Sequence, residues 1–224
     1  PEKRVLVIIY PGGLVRPQAY EWLARRLAAA GYLSLIPEFP FDLAVTQSGR
    51  ASALIARYGA GKEVALAGHS LGGAMAAQYI ADEARAGRHP VAGLLLLGAY
   101  PPEGANLAAV PLQAGCLQGE HDEVADAAKV EAGLALLPPG TPRVVIAGSV
   151  HSFFGRYGPQ AGDGTPTVSR AAAGPPASTT PTPTAPSSER REPRSKRATH
   201  DMTKGRPGRG APSSCPDASC VTHR

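Results

Sequence analysis

Long apolar runs are missing from these 224 residues. A helix needs about 18 to 20 consecutive apolar side chains to cross a bilayer, so no membrane-spanning helix is expected. Cysteine is scarce as well. Cys116 stands alone in an apolar stretch, and Cys215 and Cys220 lie near the end. Thiols placed like this make no disulfide framework and offer too few ligands for a zinc knuckle.

Net charge is absent from the body of the chain. Residues 1–174 carry 14 Lys/Arg against 14 Asp/Glu, so the formal +5 resides wholly in 175–224, with nine Lys/Arg against four Asp/Glu. Binding to a nucleic-acid backbone needs a concentrated positive footprint, and such binding is not expected of the body. Phe, Trp, Tyr, Leu and Ile are all missing from 175–224, which instead hold nine prolines. That stretch has almost no apolar surface to offset the entropy of ordering it, so a disordered, basic, Pro/Ser/Thr-rich tail is expected there. The chain opens at Pro1 rather than a methionine. A targeting segment removed or omitted is compatible with this, and either a cytoplasmic or an exported address fits.

Residues 1–174 carry a different pattern. Val5 to Tyr10 is a β-branched apolar run ended by Pro11-Gly12-Gly13, the signature of a strand covered on both faces. A helical period follows through Tyr20, Leu23, Leu27 and Ala30, with Pro17 near its start and Gly31 at its end. The alternation continues. Strands are expected at 32–36, 63–67, 91–97, 112–117 and 143–147, and helices at 44–58, 74–86 and 126–137. Strands separated by helices predict an α/β domain, a three-layer sandwich around a mostly parallel sheet.

Chemistry is concentrated at Gly68-His69-Ser70-Leu71-Gly72, between the 63–67 strand and the 74–86 helix. This is the G-x-S-x-G pattern in the strand–turn–helix context of a nucleophile elbow. The glycines give clearance on both sides of a tight turn that presents the Ser70 hydroxyl. A phosphate-binding loop is a poorer reading, because no Lys follows the glycines.

Serine needs a base, and the base an orienting carboxylate. After Ser70 the body offers His89, His121 and His151. His151 follows the last expected strand and is favoured. His89 sits in a surface turn, and His121 adjoins Asp122 in sequence. Asp122 is the favoured acid and Asp126 its main competitor, as a residue suited to capping the next helix. Glu120 and Glu123 are weaker choices. Backbone donors for a developing oxyanion are expected at Leu71 and at Gly13 or Leu14. Tyr100, Phe153, Phe154 and Tyr157 are candidate apolar walls for a substrate, or else parts of the core.

In these segments the chain resembles the α/β-hydrolase superfamily, especially compact bacterial members of the dienelactone-hydrolase and carboxylesterase branch. The matching pieces are Tyr10-Pro11-Gly12-Gly13-Leu14-Val15, Ala19 through Tyr32, Gly68 through Met75, Gly119 through Asp122, and His151 through Gln160. The resemblance implies that Ser70, Asp122 and His151 occupy triad places, with Gly13 or Leu14 and Leu71 in oxyanion places. It also implies a fold without a large lid domain and hydrolysis of a small-molecule ester or related acyl substrate, with neither metal nor organic cofactor. A catalytically idle binding or scaffold protein on the same frame is the rival expectation.

Two departures stand out. Glu123 follows the acid where relatives commonly have Gly, and Gly174-Pro175-Pro176 cuts short a possible final helix beginning at 167–173. A terminal packing helix lost or replaced is therefore expected, with a homodimer contact as one way to cover the sheet face.

Overall fold

The computed structural model describes residues 4–173. The expected tail, with Cys215 and Cys220, lies outside the described residues.

Six parallel strands form one sheet in the order β2-β1-β3-β4-β5-β6. They are β1 (Val5–Tyr10), β2 (Leu33–Leu35), β3 (Glu63–His69), β4 (Gly93–Leu97), β5 (Gln113–Gly119) and β6 (Arg143–Ile146). Four helices flank it: α1 (Glu21–Ala29), α2 (Arg50–Tyr58), α3 (Leu71–Arg85) and α4 (Ala127–Leu134). This is the expected three-layer α/β arrangement around a parallel sheet, and among the described residues no large lid interrupts it.

The two-sided burial expected of β1 is what divides the core. Leu6, Ile8 and Tyr10 pack with residues of α2 and α3, while Val7 and Ile9 pack with Tyr20 and the α1 side. Leu6, Ile8 and Ile9 have no solvent exposure, and each such burial contributes roughly 1.5–3 kcal/mol. Cys116 belongs to the first cluster, and burial pushes its thiol up to about 11, with Arg143 pulling weakly the other way.

Strand order reverses between β1 and β3: β2 lies on one side of β1, and β3 to β6 on the other. Crossovers leave in opposite directions at this point, so a crevice opens beyond the carboxyl ends of the two strands. Tyr10 pairs with Gly68 at those ends. The Gly12-Gly13 loop and Ser70 both emerge there.

Several boundaries differ from expectation. The 44–58 helix is broken into a 3-10 turn at Ala44–Gln47 and α2, with Gly49 as the N-cap of the second piece. Helix α3 starts at Leu71 rather than 74, so Gly72 and Gly73 are helical. Helix α4 stops at Leu134, short of 137. Residues 167–173 make a single turn, in which Ala172 and Ala173 donate to the Ser169 carbonyl, instead of starting a helix. Among the described residues no packing helix follows His151, and Val144 on β6 remains half exposed.

Candidate active site

Ser70 is the N-cap of α3 and has φ 52, ψ −125, a conformation that costs an L-residue about 1–3 kcal/mol. Tight packing enforces it. A Cβ on Gly68 would lie 2.5 Å from the Gly73 backbone, and one on Gly72 would run into the Pro11 and Tyr10 carbonyl oxygens. The Ser70 N–H donates to the Leu97 carbonyl at 3.0 Å, and the Ser70 carbonyl accepts from Gly73 and Ala74. The turn is thus tied to β4 on one side and to its own helix on the other.

The end of β4 carries the next part. Gly98, at φ 51, lies directly under the Asp122–His151 pair: a Cβ there would be 2.9 Å from His151 Nδ1 and 3.0 Å from Asp122 Oδ2. His151 Nδ1 and Asp122 Oδ2 are 2.8 Å apart, and both side chains are buried. Asp122 Oδ1 accepts from the Val124 and Ala125 N–H groups at 3.1 and 2.8 Å, so this carboxylate is held in position with Glu123 rather than Gly after it. With Oδ2 as acceptor, the Nδ1 proton points at the carboxylate and Nε2 keeps a lone pair. That Nε2 is buried and, among the described residues, has no hydrogen-bond partner. Nor does any bond engage Ser70 Oγ; such contacts are often long before substrate binds.

The other candidates fall elsewhere. Asp126 caps α4 through the Lys129 N–H at 2.9 Å. Glu120 accepts from Gly148 N–H at 2.7 Å and lies 3.8 Å from His121. Glu123 and His89 are exposed.

The oxyanion expectations separate. Leu71 is the first residue of α3, so its N–H has no intrahelical acceptor. Gly13 adjoins it, since a Cβ on Gly13 would lie 3.2 Å from Leu71 Cδ2. The Leu14 N–H is already donated to the Asp42 carbonyl at 2.9 Å, so of these two positions Gly13 is the one whose N–H has no acceptor among the described residues.

Each of the four aromatic wall candidates has a protein neighbour. Tyr100 packs on α4, where a Cβ at Gly133 would meet its Cβ at 2.7 Å. Phe153 lies under the Arg170 guanidinium, 4.9 Å from the ring centre. Phe154 and Tyr157 have ring centres 5.9 and 6.0 Å from that of His69. These side chains are drawn into packing by neighbours that the sequence did not reveal. A cavity of about 280 Å³ lies among Arg16, Pro17, Glu38, Phe39, Phe41 and Asp42.

His69, inside the serine motif, escaped the sequence reading. It is 1% exposed, and its ring centre lies 4.5 Å from that of His151. The Gly12 N–H donates to the Tyr20 hydroxyl at 2.9 Å, and that hydroxyl lies 2.7 Å from His69 Nδ1. If the Tyr20 hydroxyl donates onward, Nδ1 accepts and the His69 proton sits on Nε2, which among the described residues is buried without a hydrogen-bond partner. Burial, reinforced by the charge of His151, pushes His69 down to about 3; the nearby His151 backbone opposes this weakly. Asp163 was also missed. Its carboxylate accepts from the His151 and Ser152 N–H groups at 3.0 and 2.8 Å and so pins the loop that carries His151. Its setting in Gly162-Asp163-Gly164 was the available sign of a turn anchor.

The depressed His69 value makes stability pH-dependent. The unfolded chain takes up this proton near pH 6.5 and the folded chain only near 3. The contribution of neutral His69 is therefore fully present above the unfolded value and is lost as pH falls through this window, by up to about 1.4 kcal/mol per pH unit. Urea unfolding between pH 4.5 and 7.5 should show a shallower pH dependence for His69→Gln than for the parent. Equal slopes would mean that His69 is not held neutral.

Among the described residues no three His, Cys, Asp or Glu side chains gather to hold a metal ion, and no helix is long and apolar enough to cross a membrane.

Comparison with solved structures gives the same fold at low identity. The thioesterase RedJ of the prodiginine pathway in Streptomyces coelicolor aligns with a TM-score of 0.55 at 14% identity, over 69% of this chain and 81% of that one. ClbQ from the colibactin pathway aligns at 0.52 and 14%, over 66% and 90%. A Thermus thermophilus protein aligns at 0.52 and 22%, over 66% and 82%. No curated protein matches by sequence. A family model described as the alpha/beta hydrolase family matches residues 6–174, most of the chain and all of the site just described. The chain belongs to the alpha/beta hydrolase family.

Proposed function

We propose that the protein is a serine hydrolase that cleaves a small ester or related acyl substrate through an acyl-enzyme, with Ser70 as nucleophile, His151 as general base and Asp122 as its orienting acid. The observation that carries this reading is the buried 2.8 Å Asp122–His151 pair seated on Gly98, the residue after the carbonyl that holds the Ser70 N–H. An unpartnered Nε2 lone pair beside a strained serine turn is what base-assisted attack requires.

Ser70 Oγ adds to the acyl carbon while its proton passes to His151 Nε2, and the carbonyl oxygen becomes the oxyanion. Gly13 and Leu71 N–H groups receive that oxygen, assisted by the positive end of the α3 dipole. The carbonyl re-forms as the bond to the leaving group breaks, and His151 gives its proton to that group. Water then repeats the sequence and releases the acid and free Ser70. Asp122 remains a carboxylate throughout and stabilises the imidazolium. His69, neutral, adds no second positive charge beside His151.

A fluorophosphonate probe followed by peptide mass spectrometry tests the assignment. One adduct is expected, on the peptide that carries Ser70. An unlabelled protein that also turns over no activated ester would favour the idle-scaffold reading.

A further inference from the structure

Among the described residues four non-glycine positions have positive φ: Ser70 at 52, Leu14 at 59, Phe41 at 58 and Asp42 at 55. Ser70 is the nucleophile turn. The other three lie on two loops, after β1 and after β2, joined by the Leu14 N–H to Asp42 carbonyl bond at 2.9 Å. The Arg16–Asp42 ion pair at 3.3 Å links the same loops. Left-handed backbone is unfavourable for Leu and Phe, and it persists only where the surroundings over-determine it. Here it does not serve burial. Leu14 is 75% exposed and Phe41 is 83% exposed, so the strained backbone holds two large apolar side chains out in solvent.

The loops are anchored to the proposed oxyanion site. A Cβ on Gly13 would touch Leu71 Cδ2 at 3.2 Å and Leu43 Cδ2 at 3.7 Å, so the residue after Asp42 abuts the pair of donors. The cavity of about 280 Å³ has Phe39, Phe41 and Pro17 as its apolar members and Arg16, Glu38 and Asp42 as its polar ones.

Strand order decides which end of a substrate belongs here. Leu14 and Phe41 follow β1 and β2, on one side of the Ser70 strand; Asp122 and His151 follow β5 and β6, on the other. The leaving group must face His151 to take its proton. The acyl substituent is left to point toward β1 and β2. We propose, resting on the hydrolase reading above, that Leu14 and Phe41 form the acyl-binding platform of the enzyme and set its preference for acyl groups with an apolar segment of several carbons.

Glycine at either position removes the side chain and relieves the backbone together, which separates recognition from structure. The test compares the parent with Leu14→Gly and Phe41→Gly on p-nitrophenyl acetate, butyrate and hexanoate, which share one leaving group. Each variant should lose hexanoate turnover more than acetate turnover, lowering the hexanoate-to-acetate ratio of kcat/KM by about fivefold or more, while its melting temperature holds or rises. A ratio unchanged within about twofold, or a uniform loss of activity with a lower melting temperature, would overturn the platform. So would variants whose discrimination changes only when the alcohol is varied at fixed acyl group. A parent protein that neither labels with fluorophosphonate nor turns over any of the esters sinks the hydrolase reading along with the platform. Ser70 labelling with an unchanged ratio sinks the platform alone.

Discussion

Replacing Ser70 by Ala should reduce kcat by roughly 10⁴- to 10⁶-fold without unfolding the protein. Its hydroxyl makes no hydrogen bond among the described residues, so Ala leaves no buried partner stranded. Ala pays the same backbone cost at φ 52, since that cost arises at the Cβ that both residues carry. The tie to the Leu97 carbonyl uses the backbone N–H and survives the change. Any remaining rate would come from the Gly13 and Leu71 donors acting on bound substrate with water as nucleophile. Steady-state ester hydrolysis and a thermal melt check both halves. Turnover above about a tenth of the parent would place the nucleophile elsewhere.

Asp122→Asn should cost about 10⁴-fold in kcat at neutral pH, and the reason lies in how the two carboxylate oxygens are divided. Oδ1 is held by the Val124 and Ala125 N–H groups, and an Asn carbonyl oxygen would stay there. Its amide NH₂ would then face His151 Nδ1, which could only accept. The imidazole proton would move to Nε2, and the lone pair that takes the Ser70 proton would be gone. The bonds that the His151 and Ser152 N–H groups donate to the Asp163 carboxylate would keep the ring in place, so the loss would come from the tautomer rather than from misplacement. Hydrolysis within tenfold of the parent would remove Asp122 from the acid role.

Most of the sheet was legible in the sequence because β1, β3 and β4 are buried on both faces and read as near-continuous apolar runs. Boundaries were less legible wherever packing overrides local propensity. Gly72 and Gly73 read as turn residues, yet they belong to α3 and are glycine for want of room: a Cβ on Gly72 would meet the Tyr10 and Pro11 carbonyls, and one on Gly73 the Ala99 side chain and the Gly68 carbonyl. The Ala44–Tyr58 period is apolar enough for one helix, but the chain turns at Gly49 and starts again.

Chain order was enough to nominate Ser70, Asp122 and His151, since each follows its own strand. Order could not reveal what surrounds them. Tyr20 looked like one more apolar position on a helix, and only the fold brings its hydroxyl to His69. Gly13 or Leu14 was expected to offer an N–H to an oxyanion, and order alone could not show that the Asp42 carbonyl, 28 positions later, accepts the one on Leu14. The aromatic residues around His151 were readable as apolar but not as neighbours of His69, because contacts between distant segments leave no local pattern.

Ending the sheet on β2 and β6 has a consequence for how the protein behaves when concentrated. Open sheet edges invite strands from other molecules, and bare valines on β6 would add to the attraction. Here the rims are only three and four residues long, and Pro142 and Arg143 stand at the start of the β6 rim. An incoming strand finds backbone for only a brief ladder, and the proline before it offers no N–H to extend that ladder. That shortness blunts fibril-like growth at the border where Val144 and Val145 meet solvent.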